Sequence, residues 1–147
     1  MKEGLKLRGD VIIESRRKDG TVVAREELKN LVVNVGKERV AKLINGLSST
    51  GFDVIGIGTG TTSPSASDTD LETEVSKASA SVSYESGYKA VFEKTFTFGS
   101  GVSHNITEAG VFDAIGSGGT MLDRFTFTAK AVDADTDIYV KVTITVS

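Results

Sequence analysis

In the last stretch of the chain Ile138, Val140, Val142, Ile144 and Val146 alternate with polar side chains. A period of two admits only an extended strand with one apolar face. The same period recurs upstream: Ala80, Val82 and Tyr84 alternate with serines, Phe92, Phe96 and Phe98 with threonines, and Phe125, Phe127 and Ala129 follow. These stretches are expected to be half-buried strands. Near the front, Leu5 to Glu14 reads as a strand, and the Asp19-Gly20 turn closes a hairpin onto Thr21 to Arg25. Asn34 is placed to cap the one convincing helix, near residues 35–47, where Val40, Leu43, Ile44 and Leu47 recur at helical spacing and Gly46 marks the exit. Asp68 to Val75 is expected to form one helical turn at most. Short strands separated by Gly- and Asp-rich turns give a mainly β fold: a single-domain antiparallel barrel or sandwich over residues 1–147, with no parallel βαβ units. Residues 1–29 form a possible N-terminal hairpin arm, and residues 30–147 the barrel core.

A chain of 147 residues with 39% hydrophobic and 25% charged residues can bury a core without staples. It has no cysteine, which removes disulfides, thiolate metal sites and cysteine nucleophiles. No apolar run reaches membrane-span length and the front has no signal-like apolar stretch, so a soluble, cytoplasmically made protein is expected. Residues 1–47 carry 11 Lys/Arg against 7 Asp/Glu, and the remainder 6 against 13. Aromatic stacking residues are missing from the basic segment and acids are interleaved in it, so nucleic acid is not the expected partner. The opposed signs instead suit contacts between copies or with an acidic neighbour.

The glycines of Ile55-Gly56-Ile57-Gly58-Thr59-Gly60 look like a phosphate cradle, but such a cradle needs a helix directly after the glycines. A polar Thr/Ser loop containing Pro64, the sole proline, follows instead. The glycines are therefore expected to bend a strand tightly, with Thr61 to Thr69 as a surface loop. His104, the only histidine, has no Gly-x-Ser-x-Gly elbow to accompany it. Asp133, Asp135 and Asp137 have the opening spacing of a calcium loop, but Ile138 and Ile144 occupy the positions of its glycine and bidentate glutamate. A solvated turn is the better account. Arg8-Gly9-Asp10 matches an adhesion tripeptide inside an expected strand, where a β-bulge explains the glycine equally well. The acid pairs Glu26-Glu27, Asp68/Asp70 and Glu72/Glu74 read as solvated faces. No catalytic, cofactor or metal residue is assigned, and no enzyme is expected.

Three phrases, taken in order, carry a resemblance: Asn30-Leu31-Val32-Val33-Asn34-Val35-Gly36 before the helix; Ile55 to Thr62 with Asp68 to Val75; and Ile106-Thr107-Glu108-Ala109-Gly110-Val111-Phe112-Asp113 with Gly119 to Phe127. With them the chain resembles small structural proteins of tailed-bacteriophage virions, of the capsid decoration or cement type; similar sequences are also labelled tail fibre proteins. The resemblance implies a compact barrel, a homotrimer, and the major capsid protein as partner on the virion exterior, after assembly in the host cytoplasm. It implies no small-molecule substrate, nucleic acid or membrane. The hairpin from Lys2 to Lys29 is then the candidate arm. Leu5, Leu7, Arg8, Arg16, Arg17, Thr61, Thr62 and Pro64 are the candidate contacts with capsid or neighbouring subunits. The absence of coiled coil or repeats favours the head over a fibre. Two alternatives follow from the same residues: a tail- or fibre-associated adaptor, and a carbohydrate- or host-surface-binding module using Tyr84, Tyr88 and Tyr139.

Overall fold

The computed structural model describes residues 5–147. Nine strands and one helix follow in order: β1 (Leu7–Arg17), β2 (Val22–Val32), α1 (Asn34–Ile44), β3 (Val54–Gly58), β4 (Glu74–Ser79), β5 (Ser81–Glu85), β6 (Lys89–Phe96), β7 (His104–Phe112), β8 (Met121–Val132) and β9 (Thr136–Val146). All pair antiparallel in the order β4-β3-β7-β8-β2-β1-β9-β6-β5, and the sheet curls into a nearly closed barrel. The expected mainly β barrel with one short helix is what forms.

Two corners bring the halves face to face. At one, β4 runs into β5 through Ala80, whose N–H donates to the Asp53 carbonyl at 2.8 Å. At the other, β2 meets β8 only through Leu31↔Arg124 and Val32↔Asp123. Beyond those rungs the carboxylate of Glu26 spans the gap, accepting from the Thr128 N–H at 3.2 Å and from Lys130 Nζ at 2.7 Å. Between the halves lies the main core, where Val11, Ile13, Val140 and Val142 oppose Ile55, Ile57, Val111 and Phe125. A second, smaller cluster packs Leu71 of the 59–73 segment with Val33, Val54, Phe112 and Met121.

The expected N-terminal hairpin forms, but as barrel wall. Arg17 N–H donates to Thr21 O at 2.9 Å, Gly20 takes φ +90°, and the sequence-derived boundary at residue 29/30 falls inside β2. β1 pairs with β9 along its whole length and with β2 on its other side, and it places Val11 and Ile13 in the core. Residues 1–4, the start of the expected arm, lie outside the described residues.

Three further expectations are corrected, and the limit of one helical turn at most in Asp68 to Val75 holds. Asn34 lies inside α1 rather than capping it; Val33 is the cap residue, with no side-chain hydrogen bond. Asp68 to Val75 contains no helical turn. Ala129 is exposed while Lys130 is buried, because β8 places three residues between Thr126 and Lys130 where β7 places one between Glu108 and Ile106, and this irregularity shifts the alternation. Val82 and Tyr84, expected to be half-buried, are 55% and 70% exposed.

Candidate functional site

The glycine phrase does form an anion cradle, and the anion is the chain's own. Glu108, fully buried, accepts from the N–H groups of Gly60 at 2.8 Å and Thr73 at 2.7 Å on one oxygen. Its other oxygen accepts from the Glu72 N–H at 2.9 Å and from Arg124 Nε at 3.0 Å. Arg124 continues to Asp68 at 3.1 Å. Gly58 and Gly60 serve close approach, since a Cβ on either would stand 2.6 or 2.4 Å from the Glu108 carboxylate. Neither takes a positive φ, and the β3–β4 register breaks between Ile57 and Gly58, so the chain departs from the strand there without left-handed backbone. The opening carboxylate of the 68–75 stretch, the backbone at its centre and the ITEAGVFD and LDRFTF phrases thus meet in one latch that straps residues 59–73 across the barrel wall. Both oxygens of the Glu108 carboxylate are engaged, while Arg124 Nη2 is buried without a hydrogen-bond partner. The signal that could have pointed to the latch is a glutamate amid the apolar and small residues of Ile106 to Phe112, which demands a buried cation and N–H donors.

A second buried carboxylate, Asp123, accepts from the Val111 N–H at 2.9 Å and from the Asn30 side-chain amide. Burial raises its pKa from 3.8 to about 7, against the lowering effect of those two hydrogen bonds. Gly9 packs directly against Asn30, so a Cβ there would collide with the amide. The Arg8-Gly9-Asp10 tripeptide lies in β1, where all three residues pair with β9 in unbroken register and Gly9 begins the pairing with β2, so the expected bulge there is absent.

The remaining sequence candidates do not assemble a chemical centre. His104 begins β7 beside Phe98, ring centroids 5.9 Å apart, in a polar hollow with Thr59, Thr61, Asn105, Thr107 and Asp133. Asp133 accepts from the Asp135 N–H at 2.8 Å while Asp137 pairs with Lys18, so the three aspartates serve different partners. Among the described residues no group of three or more His, Cys, Asp or Glu is arranged to hold a metal ion. Of the acid pairs, Asp68 and the Glu72 backbone belong to the latch, whereas Glu27 remains exposed beside Arg25. Acceptance from Thr62 Oγ1 and from the Thr62 and Thr61 N–H groups holds the Glu72 carboxyl below its usual range. No helix among the described residues is long and apolar enough to cross a membrane.

What remains uncommitted is the end of the barrel beside α1. Only Gly36 of the helix is buried, pressed onto the Leu122 backbone, while Ile44 is 76% exposed. A groove of about 750 Å³ runs between Val40, Ala41 and Ile44 of α1 and Leu5, Leu7 and Val146. Leu5 and Val146 are shared with a hollow of about 520 Å³ walled by Tyr84, Tyr88 and Ala90. The register explains the exposure: Val82 stands opposite Phe92 and Val142, and Tyr84 opposite Ala90 and Ile144. Both therefore lie on the core-facing side of the sheet, on a strand that runs past the cover of the other half. Tyr88, at the hairpin tip, is the one non-glycine residue with positive φ among those described, at 66°. That conformation is costly for a bulky side chain.

The eight sequence-derived contact residues fall into three places. Leu5 and Leu7 line the apolar groove, with Arg8 beside them paired to Asp10. Arg16 and Arg17 end the same strand, roughly 30 Å away at the strand rise per residue; Arg16 bonds Glu14 and covers the Tyr139 ring at 3.9 Å. Thr61 and Thr62 donate their N–H groups to Glu72, and half-buried Pro64 sits in the same strap. Of the three tyrosines, Tyr84 and Tyr88 share one hollow, while Tyr139 is held elsewhere under Arg16 and donates to Glu93 at 2.7 Å. The apolar end was legible only in part, because a strand's exposed and buried faces have the same alternation. Compared with family models, curated proteins and solved structures, the chain matches none.

Proposed function

We propose that this chain is a structural protein of a tailed-phage virion, a decoration or cement protein that binds the outer capsid surface and clamps adjacent capsid subunits. One observation carries the reading beyond resemblance. Glu108, Arg124 and Asp68 of the shared phrases are consumed in an internal latch, and a separate, apolar barrel end lined by Leu5, Ile44, Tyr84, Tyr88 and Val146 is left as uncommitted surface. A protein that works by adhesion needs a rigid body and an apolar face with aromatic anchors, and these are what the chain supplies. The hollow favours a protein side chain over a sugar, because its walls offer few hydrogen-bonding groups for hydroxyls. On this reading the partner is the major capsid protein, the bound unit is the homotrimer implied by the resemblance, and the location is the capsid exterior. Binding then stabilises the shell by mass action, without turnover.

The test mixes purified protein with expanded, undecorated capsids. Saturable binding in hundreds of symmetric copies, roughly as a shell symmetry demands, and its loss in Leu5→Glu/Ile44→Glu are expected. Absence of saturable binding overturns the reading. Recovery of about a dozen copies or fewer at the tail alone transfers the protein to a tail adaptor.

A further inference from the structure

We infer that β5 is a self-pairing edge, and that two copies of this chain join their sheets through antiparallel β5–β5 contact about a two-fold axis at Ser83. β5 ends the sheet order, pairs only with β6, and is exposed at all five residues. Among the described residues no backbone group bonds its outer edge. Proteins commonly protect such an edge with lysine, proline, a bulge or a covering segment. From Ala78 to Tyr84 this chain has no charge and no proline, and the β5–β6 register has no irregularity.

The sequence of the edge fits itself. Only pairing centred on Ser83 engages all five residues, and it sets Ser83 against Ser83, Val82 against Tyr84 and Ser81 against Glu85 of the other copy. On the core-facing side this gives two aromatic–β-branched pairs, a favoured cross-strand combination. On the other side each Glu85 meets a neutral serine, so no like charges are opposed. The exposed Val82 and Tyr84 thereby gain the apolar neighbours that their own barrel does not supply. An isologous contact of this kind closes on itself, so it yields a pair of sheets rather than an open fibre. It requires no capsid, and it takes Tyr84 out of the apolar end proposed to meet the capsid, where Leu5, Ile44, Tyr88 and Val146 remain.

Charge exchange at the axis tests it by analytical ultracentrifugation of the full chain. Wild type is expected to dimerise, or to give even-numbered multiples of any larger unit. Ser83→Lys and Ser83→Asp, each opposing its own charge, weaken that association roughly fivefold. Mixing the two restores it as a heterodimer, and Ser81→Lys, facing Glu85, preserves it. In the cysteine-free background, Ser83→Cys is expected to oxidise to a disulfide-linked dimer and Ser81→Cys to remain unlinked. A wild type with no even-numbered association, or equal behaviour of the position-81 and position-83 variants, overturns the pairing. Unchanged far-UV circular dichroism shows that each variant is folded, because both serines are exposed.

Discussion

Asp123 shows how a single buried carboxyl sets a pH response. Its pKa is near 3.8 when unfolded and about 7 in the barrel, so between those values the native state holds a proton that the unfolded chain releases. Stability from this group is therefore present at low pH and lost as pH rises through that window, by up to about 1.4 kcal/mol per pH unit. This is the reverse of a carboxylate stabilised by an ion pair. Asp123→Asn is expected to flatten the slope and to raise stability at pH 8 relative to wild type. An inverted Asn30 amide would present its Oδ1, now without a partner, to the new side-chain amide. Urea midpoints of both proteins at pH 5 and pH 8 measure the difference. An aspartate placed by the LDRFTF phrase was visible in the sequence, but its burial was not, since that depends on Asn30 and Gly9 arriving from distant strands.

At the scale of elements, α1 is held by close backbone contact together with Val35 and Val40, which pack partly buried against the two core clusters. Gly36 meets the Leu122 backbone so closely that an added Cβ would stand 2.5 Å from the Leu122 carbonyl oxygen. Arg39 adds a pairing with Asp113 and a 3.0 Å bond to Thr120 Oγ1. Gly36→Ala therefore sets two effects against each other. Alanine favours the helix by about 1 kcal/mol, but the clash is with strand backbone, which cannot turn aside as a side chain can. The clash is expected to win, with a net loss of about 1–3 kcal/mol, read as a lower Tm by circular dichroism. Helical spacing of Val40, Leu43, Ile44 and Leu47 correctly announced the element; of the four, Val40 packs against the main core while Ile44 and Leu47 are exposed. Periodicity reports that a face is apolar; it does not say what covers it.

For the whole molecule, the central question is whether the front hairpin is an arm or a wall. β1 lies between β2 and β9 and carries core residues, so a chain starting at residue 30 loses a central strand. Such a truncation is expected to lack cooperative unfolding and dispersed amide resonances; a well-dispersed spectrum would restore the arm-and-body division. The Asp-Gly turn and the β9 alternation were enough to foresee strands and hairpin. The order β8-β2-β1-β9 was not legible, because it joins segments about a hundred residues apart through backbone bonds indifferent to side-chain identity.

The strap fastened over Glu108 also bears on inheritance. Loss of Glu108 alone would leave Arg124 buried beside orphaned N–H groups, and a side chain at Gly60 would displace the carboxylate. These positions can change only in company, whereas the exposed barrel end carries no such coupling. On the proposed function, descent would be written in the concealed fastening, and adaptation to a new partner on the rim.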